Sequence, residues 1–253
     1  MISYYAVSHP GKRREVNEDS FFAGNKSEDV YGIKVRNSLD MSVCDGMGGE
    51  KYGDQASREA VSVLRRYCEQ CEGKNGLDFA YIQEACLEAN EAVCSLMRKN
   101  KARMGSTLTL IRFYGEKVVF ANLGDSKIFR LRNGKMEQIS VDHSVVARLI
   151  ADGIITKEEA KSHPSAHQIT QYLGIYPDEM IIEPYISEDT IRTGDIYLLC
   201  SDGLTDMVDE CVIESVLKEK GKLNRKGKRL LEMALENGGK DNVTLALAEI
   251  VLQ

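Results

Sequence analysis

The spacing of apolar residues along this chain changes several times, and the changes divide it into elements. Ile2 to Val7 reads as a strand that His9-Pro10-Gly11 breaks. Tyr31 to Val35 and Met41 to Cys44 read as two more strands. Asp54 to Glu72 then takes helical spacing, with Ala56, Ala60, Val63, Leu64 and Tyr67 on one face. Phe79, Ile82, Cys86, Ala89, Val93 and Leu96 give a second, cleaner amphipathic helix. Thr107 to Phe113, Val118 to Leu123, Ile128 to Leu131 and Lys135 to Ile139 return to short strands, with turns at Gly115 and Asn133-Gly134. Asn-Gly between strands is a strong hairpin signal, and strands joined by tight turns run antiparallel.

Beyond these strands, Ser144 to Ala151 reads as a short helix closed by Gly153, and Thr156-Lys157-Glu158-Glu159 as a capping box opening another. His163 to Pro184 is irregular. Ile196 to Cys200 is a buried strand, Val212 to Glu219 and Lys226 to Glu236 are helices, and Val243 to Val251 is the last strand. Helices come in consecutive pairs between groups of antiparallel strands, which points to an α+β fold of sheets covered by helices rather than a wound parallel sheet. The pattern has no repeat and no linker, so we expect one domain over residues 1–253, with Ser144 to Pro184 inserted as a subdomain.

Composition narrows the function classes. With 33 basic and 39 acidic side chains the net charge is -6, which argues against general nucleic-acid binding. No apolar run is long enough to span a bilayer, and no apolar signal core precedes Lys12-Arg13-Arg14. Seven scattered cysteines fit a reducing compartment, so a cytoplasmic location is expected. Cys68 and Cys71 form one CxxC, which without a second pair reads as two apolar residues on a helix face rather than a zinc site. Lys218, Lys220, Lys222, Arg225, Lys226, Lys228 and Arg229 read as a solvated face around an interhelical loop, with docking of acidic partners as the alternative.

Candidate chemistry gathers in acidic clusters beside glycine: Glu18-Asp19, Asp45-Gly46, Gly124-Asp125, Asp202-Gly203 and Gly239-Lys240-Asp241. Any one Asp-Gly is an ordinary turn. However, Asp45, Asp125 and Asp202 each follow an apolar strand and Asp241 precedes one, so a sheet rim would collect them. Carboxylates so gathered repel one another unless cations lie between them, and hard divalent ions on oxygen ligands are the natural solution. Glycine after Asp45 lets the backbone approach, so the Gly46 carbonyl can itself be a ligand. Arg14 is the cation beside the first cluster, with a planar fork that suits phosphate. No Cys-x5-Arg loop, GxSxG elbow or P-loop is present, and His9, His143, His163 and His167 are too scattered to read as ligands.

Taken in order, Arg14-Glu15-Val16-Asn17-Glu18-Asp19, Asp45-Gly46-Met47-Gly48-Gly49, Gly105-Ser106-Thr107, Asn122-Leu123-Gly124-Asp125-Ser126, Ser201-Asp202-Gly203-Leu204 and Gly239-Lys240-Asp241-Asn242-Val243-Thr244 closely resemble the metal-dependent type 2C protein serine/threonine phosphatases in their bacterial form. The resemblance runs from near the N-terminus to the last strand. It implies two packed antiparallel sheets flanked by helix pairs, an α-β-β-α sandwich. It implies two Mn2+ or Mg2+ ions bridged by Asp45, with Asp202 and Asp241 completing one site. The Gly46 carbonyl would lie on the other, with Glu18 or Asp19 near it, partly through water. Asp125 with Asp202 would match a third, weaker site, Arg14 the substrate-phosphate ligand, and residues 144–184 a mobile flap that contacts substrate.

Two departures from the family pattern stand out. Met47 replaces the histidine of many eukaryotic relatives, so that general acid is absent, and Ser165-Ala166-His167-Gln168-Ile169-Thr170-Gln171 departs from the usual bacterial Arg-Asn-x-Ile-Thr-Arg run. The implied activity is hydrolysis of phosphoserine and phosphothreonine on proteins by a metal-activated water. The implied partners are phosphoprotein substrates and an opposing Ser/Thr kinase, with the chain itself a monomer. A phosphodiesterase or small-molecule phosphatase on similar metals is the second reading. A non-catalytic module is the third, and the intact Asp45, Asp202 and Asp241 argue against it.

Overall fold

A computed structural model describes residues 1–24, 26, 28–34, 38–48, 52–70 and 79–251. Twelve strands and seven helices are present among them. One sheet holds β1 (Ile2–His9), β3 (Val30–Lys34), β8 (Lys127–Arg132), β9 (Lys135–Gln138), β11 (Ile196–Cys200) and β12 (Val243–Ile250), in the order β3-β1-β12-β11-β8-β9. The other holds β2 (Asp19–Ala23), β4 (Ser38–Met47), β6 (Leu108–Tyr114), β7 (Lys117–Leu123) and β10 (Tyr185–Thr190), in the order β10-β7-β6-β4-β2, with the short β5 (Gly105–Ser106) paired to the end of β4. Every strand pairing is antiparallel.

The period-2 pattern of the central strands is a division of labour between two cores. In β1, Tyr4 and Ala6 face the space between the sheets while Tyr5 and Val7 face the helices; in β12, Ala246 and Ala248 face inward and Leu245 and Leu247 outward. Both faces of these strands are therefore buried, which is why they read as near-continuous apolar runs. Outside the first sheet lie α5 (Asp202–Thr205), α6 (Glu210–Lys218) and α7 (Leu223–Glu236). Outside the second lie α1 (Gly53–Gln70) and α2 (Phe79–Asn100), whose Ala60, Leu64, Cys86 and Val93 are fully buried or nearly so against Leu110 and Ala121. Between the sheets Phe113 meets Tyr197 edge-on at 5.1 Å, a geometry worth about 1 kcal/mol beyond the area it buries. The architecture is the expected α-β-β-α sandwich.

Asn133 and Gly134 both take positive φ, at 53° and 76°, so the β8–β9 turn is of the type the Asn-Gly pair predicts. Several expectations need adjustment. The strand β4 runs on to Met47, so Asp45 lies within a strand rather than after one. The short strand β2, the edge strand β10 and the single-turn helix α5 are too short or too polar for the pattern to show. Helix α6 starts two residues earlier than read, and α7 three. Val35, Gly49, Cys71 and Glu72 lie outside the described residues.

Residues 144–184 leave the first sheet after β9 and return to the second at β10. They carry α3 (Val145–Ala151), capped by Ser144, and α4 (Lys157–Lys161), opened by the Thr156–Glu159 capping box. The base of this stretch is pinned. Leu173 and Ser106 exchange two backbone hydrogen bonds, and Asn90 in α2 accepts from the Gly174 and Ile175 amides and donates to the Ile175 carbonyl.

Candidate metal centre

Antiparallel pairing puts Asp19 directly opposite Asp45 at the ends of β2 and β4. Asp19 is 7% exposed and accepts from the Ser201 hydroxyl at 2.8 Å through Oδ2, while its Oδ1 is buried with no hydrogen-bond partner. Ser201 is held in turn by the Thr244 backbone, so the chain just ahead of Asp202 is laced to β12. Asp45 is fixed through its backbone: its amide donates to the Thr107 hydroxyl at 2.8 Å and its carbonyl accepts from the Thr107 amide at 2.8 Å. The Thr107 hydroxyl also meets that of Ser126 at 2.7 Å, tying the Asp45 strand to the turn that carries Asp125. Gly124, at φ +101°, passes so close to Thr107 that a β-carbon there would sit 2.7 Å from its methyl.

The far side of the site is closed by Asn242. Its side chain accepts from the Glu18 amide at 2.8 Å and donates to the carbonyls of Pro10 and Val16, which folds the N-terminal loop over Asp241. Arg14 on that loop donates to Asp241 at 2.7 Å and keeps about half of its side chain exposed. Gly46 is the tightest point. A β-carbon on it would lie 2.1 Å from the Gly53 carbonyl oxygen and 2.6 Å from that of Glu18, all backbone, so only glycine lets β4 pass here. Its amide donates to the Glu18 carbonyl at 3.1 Å.

These carboxyls share one electrostatic neighbourhood. Burial, then Asp19, Asp202, Asp125 and Asp241, push the Asp45 carboxyl well above its ordinary range. Burial and then Asp125, Asp206, Asp241 and Asp19 do the same to Asp202. Asp19 is pushed up to about 6, chiefly by burial. Burial raises Asp125, with Asp142 adding to it, and burial raises Glu18. The sequence-expected set Arg14, Glu18, Asp19, Asp45, Gly46, Asp125, Asp202 and Asp241 is thus brought to one rim by the ends of both sheets.

Such a constellation is costly for a chain alone, because among the described residues most of its charge finds no guanidinium or ammonium partner. An orphaned buried carboxylate oxygen, raised carboxyls and an all-oxygen donor set beside a backbone cleft fit hard divalent cations such as Mn2+ or Mg2+.

Sequence reasoning missed two members of this neighbourhood. Asp206, one helical turn after Asp202, and His167, from the 144–184 stretch, come together with Asp202 so that one ligand atom from each lies within 4.8 Å of the others. Spacing alone signalled Asp206, since a residue four after Asp202 returns to the same face. Nothing local to His167 announced it. The supporting residues Thr107, Ser126, Ser201 and Asn242 stood inside the motifs without an assigned role. One expectation is corrected: Lys226 in the basic stretch is buried and donates to the Leu217 carbonyl at 2.7 Å, while Lys218 and Arg229 pair with Glu214 and Glu219, so the stretch is not one open cationic face.

Comparison with known proteins adds four findings. A family model described as protein phosphatase 2C matches residues 12–248. The serine/threonine protein phosphatase PstP of Mycobacterium tuberculosis is 35% identical over 254 residues, which are 99% of this chain and 45% of PstP, so the chain spans less than half of that relative. The serine/threonine phosphatase stp of Listeria innocua is 36% identical over 249 residues, 94% of this chain and 92% of stp. Among solved structures, the PstP catalytic domain in complex with two manganese ions superposes with a TM-score of 0.83 at 33% identity, covering 100% of both chains.

Proposed function

The chain belongs to the protein phosphatase 2C family, and from that membership we propose that it is a metal-dependent protein serine/threonine phosphatase acting on phosphoproteins. The observation that carries the reading is the convergence of Asp19, Asp45, Asp125, Asp202 and Asp241 on one rim with the half-exposed guanidinium of Arg14 at its edge. Asp45, Asp202 and Asp241 would hold one Mn2+ or Mg2+ ion, and Asp45 with the Gly46 carbonyl and Glu18 or Asp19 would hold a second. Asp125 is assigned with Asp202 to a third position. When bound, the ions supply an acidified water and neutralise phosphoryl charge.

The chain's own groups fit direct transfer to water. Arg14 presents donors at the mouth of the site, and its fork suits two oxygens of a phosphoryl group. No side chain is poised as a covalent nucleophile among those described. Ser201 donates to Asp19, Ser126 and Thr107 face each other, and burial pushes the thiols of Cys44 and Cys200 up to about 12. Residues 144–184, anchored at Leu173–Ile175 beside β5, stand over the same rim and are assigned as the flap that reads the substrate. No helix among the described residues is long and apolar enough to cross a membrane. A cytoplasmic, monomeric enzyme opposing a Ser/Thr kinase, built as one catalytic domain, completes the proposal.

The test is phosphate release from phosphoserine and phosphothreonine peptides by metal-free protein, before and after Mn2+. Activity is expected only with metal, and Asp45→Asn is expected to lower turnover by at least about a thousandfold, the scale on which losing a key electrostatic group acts. Full turnover in excess chelator, or near-normal turnover by Asp45→Asn in Mn2+, overturns the assignment.

A further inference from the structure

Behind the rim, Asp19 begins and ends a closed run of hydrogen bonds. Its amide donates to Asn17 Oδ1 at 3.2 Å, and Asn17 Nδ2 donates to the Ser8 hydroxyl at 2.8 Å. Ser8 and Thr244 stand opposite each other where β1 pairs with β12, and their hydroxyls meet at 2.6 Å. The Thr244 hydroxyl in turn reaches the Asp19 carboxyl: burial raises that carboxyl, and hydrogen bonds from Thr244 and then Ser201 oppose the rise. Ser201 is a second arm of the same device. Its oxygen accepts from the Thr244 amide at 3.0 Å, and its hydroxyl donates to Asp19 Oδ2 at 2.8 Å.

The chemistry of the groups gives this run one direction. A side-chain amide nitrogen only donates, an ionised carboxylate only accepts, and a hydroxyl has a single proton to give. Asn17 Oδ1 takes the Asp19 amide, so the Asn17 nitrogen faces Ser8. Ser8 therefore receives from Asn17 and gives its proton to Thr244, which gives its own to Asp19. Were Thr244 to point back at Ser8, the carboxylate would lose a donor at a place water does not reach, since Thr244 and Ser201 are fully buried. Bonds that run head to tail polarise one another, so each link strengthens the next. The outcome is an asymmetric carboxylate: Oδ2 is engaged by Ser201, while Oδ1 is buried without a partner in a residue that stands directly opposite Asp45.

We propose that Asn17, Ser8 and Thr244 are positioning residues for the metal centre: their directed run fixes the Asp19 carboxylate from behind and leaves Oδ1 free for a divalent ion or its bound water. The proposal rests on the metal-dependent reading above and deepens it by naming what orients one of the acidic groups. Ser8 is the link that matters most for a test, because it acts on the carboxylate only through Thr244 and Asn17. Without its hydroxyl, the Thr244 proton has no incoming bond to set its direction, and Asn17 loses the acceptor that steadies its hold on the Asp19 amide. Both ends of the run slacken together. Outer partners of this kind set metal affinity by ~10–100-fold.

The experiment titrates the full chain with MnCl2 by calorimetry and melts it without metal, for the wild type, Ser8→Ala, Ser8→Thr, Thr244→Val, Thr244→Ser and the pair Ser8→Ala with Thr244→Val. Ser8→Ala and Thr244→Val are each expected to weaken Mn2+ binding at least about tenfold. Ser8→Thr and Thr244→Ser keep the hydroxyl and should bind as the wild type does. The double variant should lose no more than the worse single one, because a run already broken is not broken again. For the same reason Ser8→Ala should change Mn2+ affinity little once Asp19→Asn is in place. A Ser8→Ala protein that melts lower yet binds Mn2+ like the wild type shows a merely structural role and overturns the proposal. Losses that multiply in the double variant, or hydroxyl variants that fail to restore binding, overturn it too. In each of these cases the metal reading stands; a wild type that binds no Mn2+ overturns both. Ser8→Ala and Ser8→Thr decide the matter alone if Thr244→Val does not fold.

Discussion

Replacing Asp19 by Asn should make the metal-free protein more stable while disabling it, and the structure sets the size of the effect. The Asp19 carboxyl is pushed from 3.8 to about 6, mainly by burial. Below pH 3.8 it is protonated in both the folded and unfolded chain and costs nothing. As pH rises from 3.8 to about 6, the unfolded chain releases the proton first, the folded state binds more protons, and stability falls. Above that window the ionised, buried group costs on the order of 3 kcal/mol, at about 1.36 kcal/mol per pH interval. Between pH 5.5 and 7.5 Asp19 alone should remove about 1 kcal/mol, and Asp45 and Asp202, raised by the same crowding, act in the same direction. The metal-free wild type should therefore melt higher at pH 5.5 than at 7.5.

In Asp19→Asn the side-chain oxygen can still accept from Ser201, and the amide faces the Asp45 carboxylate instead of opposing it. At pH 7.5 the metal-free variant should gain up to about 3 kcal/mol, or roughly 6–12 °C in a chain of this size. Manganese should reverse the order, since an ion at a hundred times its Kd adds about 2.7 kcal/mol to a protein that can hold it. Thermal melts at both pH values, with and without Mn2+, read all of this. A metal-free Asp19→Asn that melts at or below the wild type at pH 7.5 would refute the argument that unneutralised carboxylate crowding is what the ions relieve.

Arg14→Ala should raise KM for phosphopeptides about tenfold or more, as expected for a lost charge-assisted contact, and change kcat by only a few-fold in steady-state assays. Asn90→Leu should remove three hydrogen bonds from the flap base, at ~1 kcal/mol or more each; melting should drop, and exchange should quicken at Gly174 and Ile175 while the acidic rim still binds Mn2+. Asp125→Ala should lose more activity on phosphoserine peptides than on p-nitrophenyl phosphate, because a serine oxygen needs a proton on leaving and Met47 has none to give. Parallel losses on both substrates would show that Asp125 has no part in supplying it.

What the sequence made legible follows from how each element earns its stability. Helices α1 and α2 bury one continuous face each, so their 3.6-residue spacing was plain. Strands β1, β7 and β12 are buried on both sides and read as apolar runs. The β8–β9 hairpin carried its own turn chemistry. By contrast β10 is an edge strand with the polar run Ser187-Glu188-Asp189-Thr190, paired only to β7, and its register owes more to that neighbour than to its own pattern. The helix α5 is a single turn whose boundary is set by Ser201 and β12 rather than by propensity.

The acidic residues were visible for a related reason: each sits at or near one end of an apolar strand, and a charge there stands out against its surroundings. Their supports were not visible, because Thr107, Ser126, Ser201 and Asn242 act through backbone and side-chain groups far away in sequence, and a hydroxyl or amide inside a motif looks like any turn residue. His167 is the extreme case. It is 35 residues from Asp202 in the chain, on a segment without strong periodicity, and its meaning depends wholly on how the flap folds back over α5. A neighbour of that kind is defined by closure of the chain, so local pattern cannot contain it. Contact order rather than conservation of type separates what was read from what was found: the nearer in sequence a residue's partners, the more of its role its neighbours could announce.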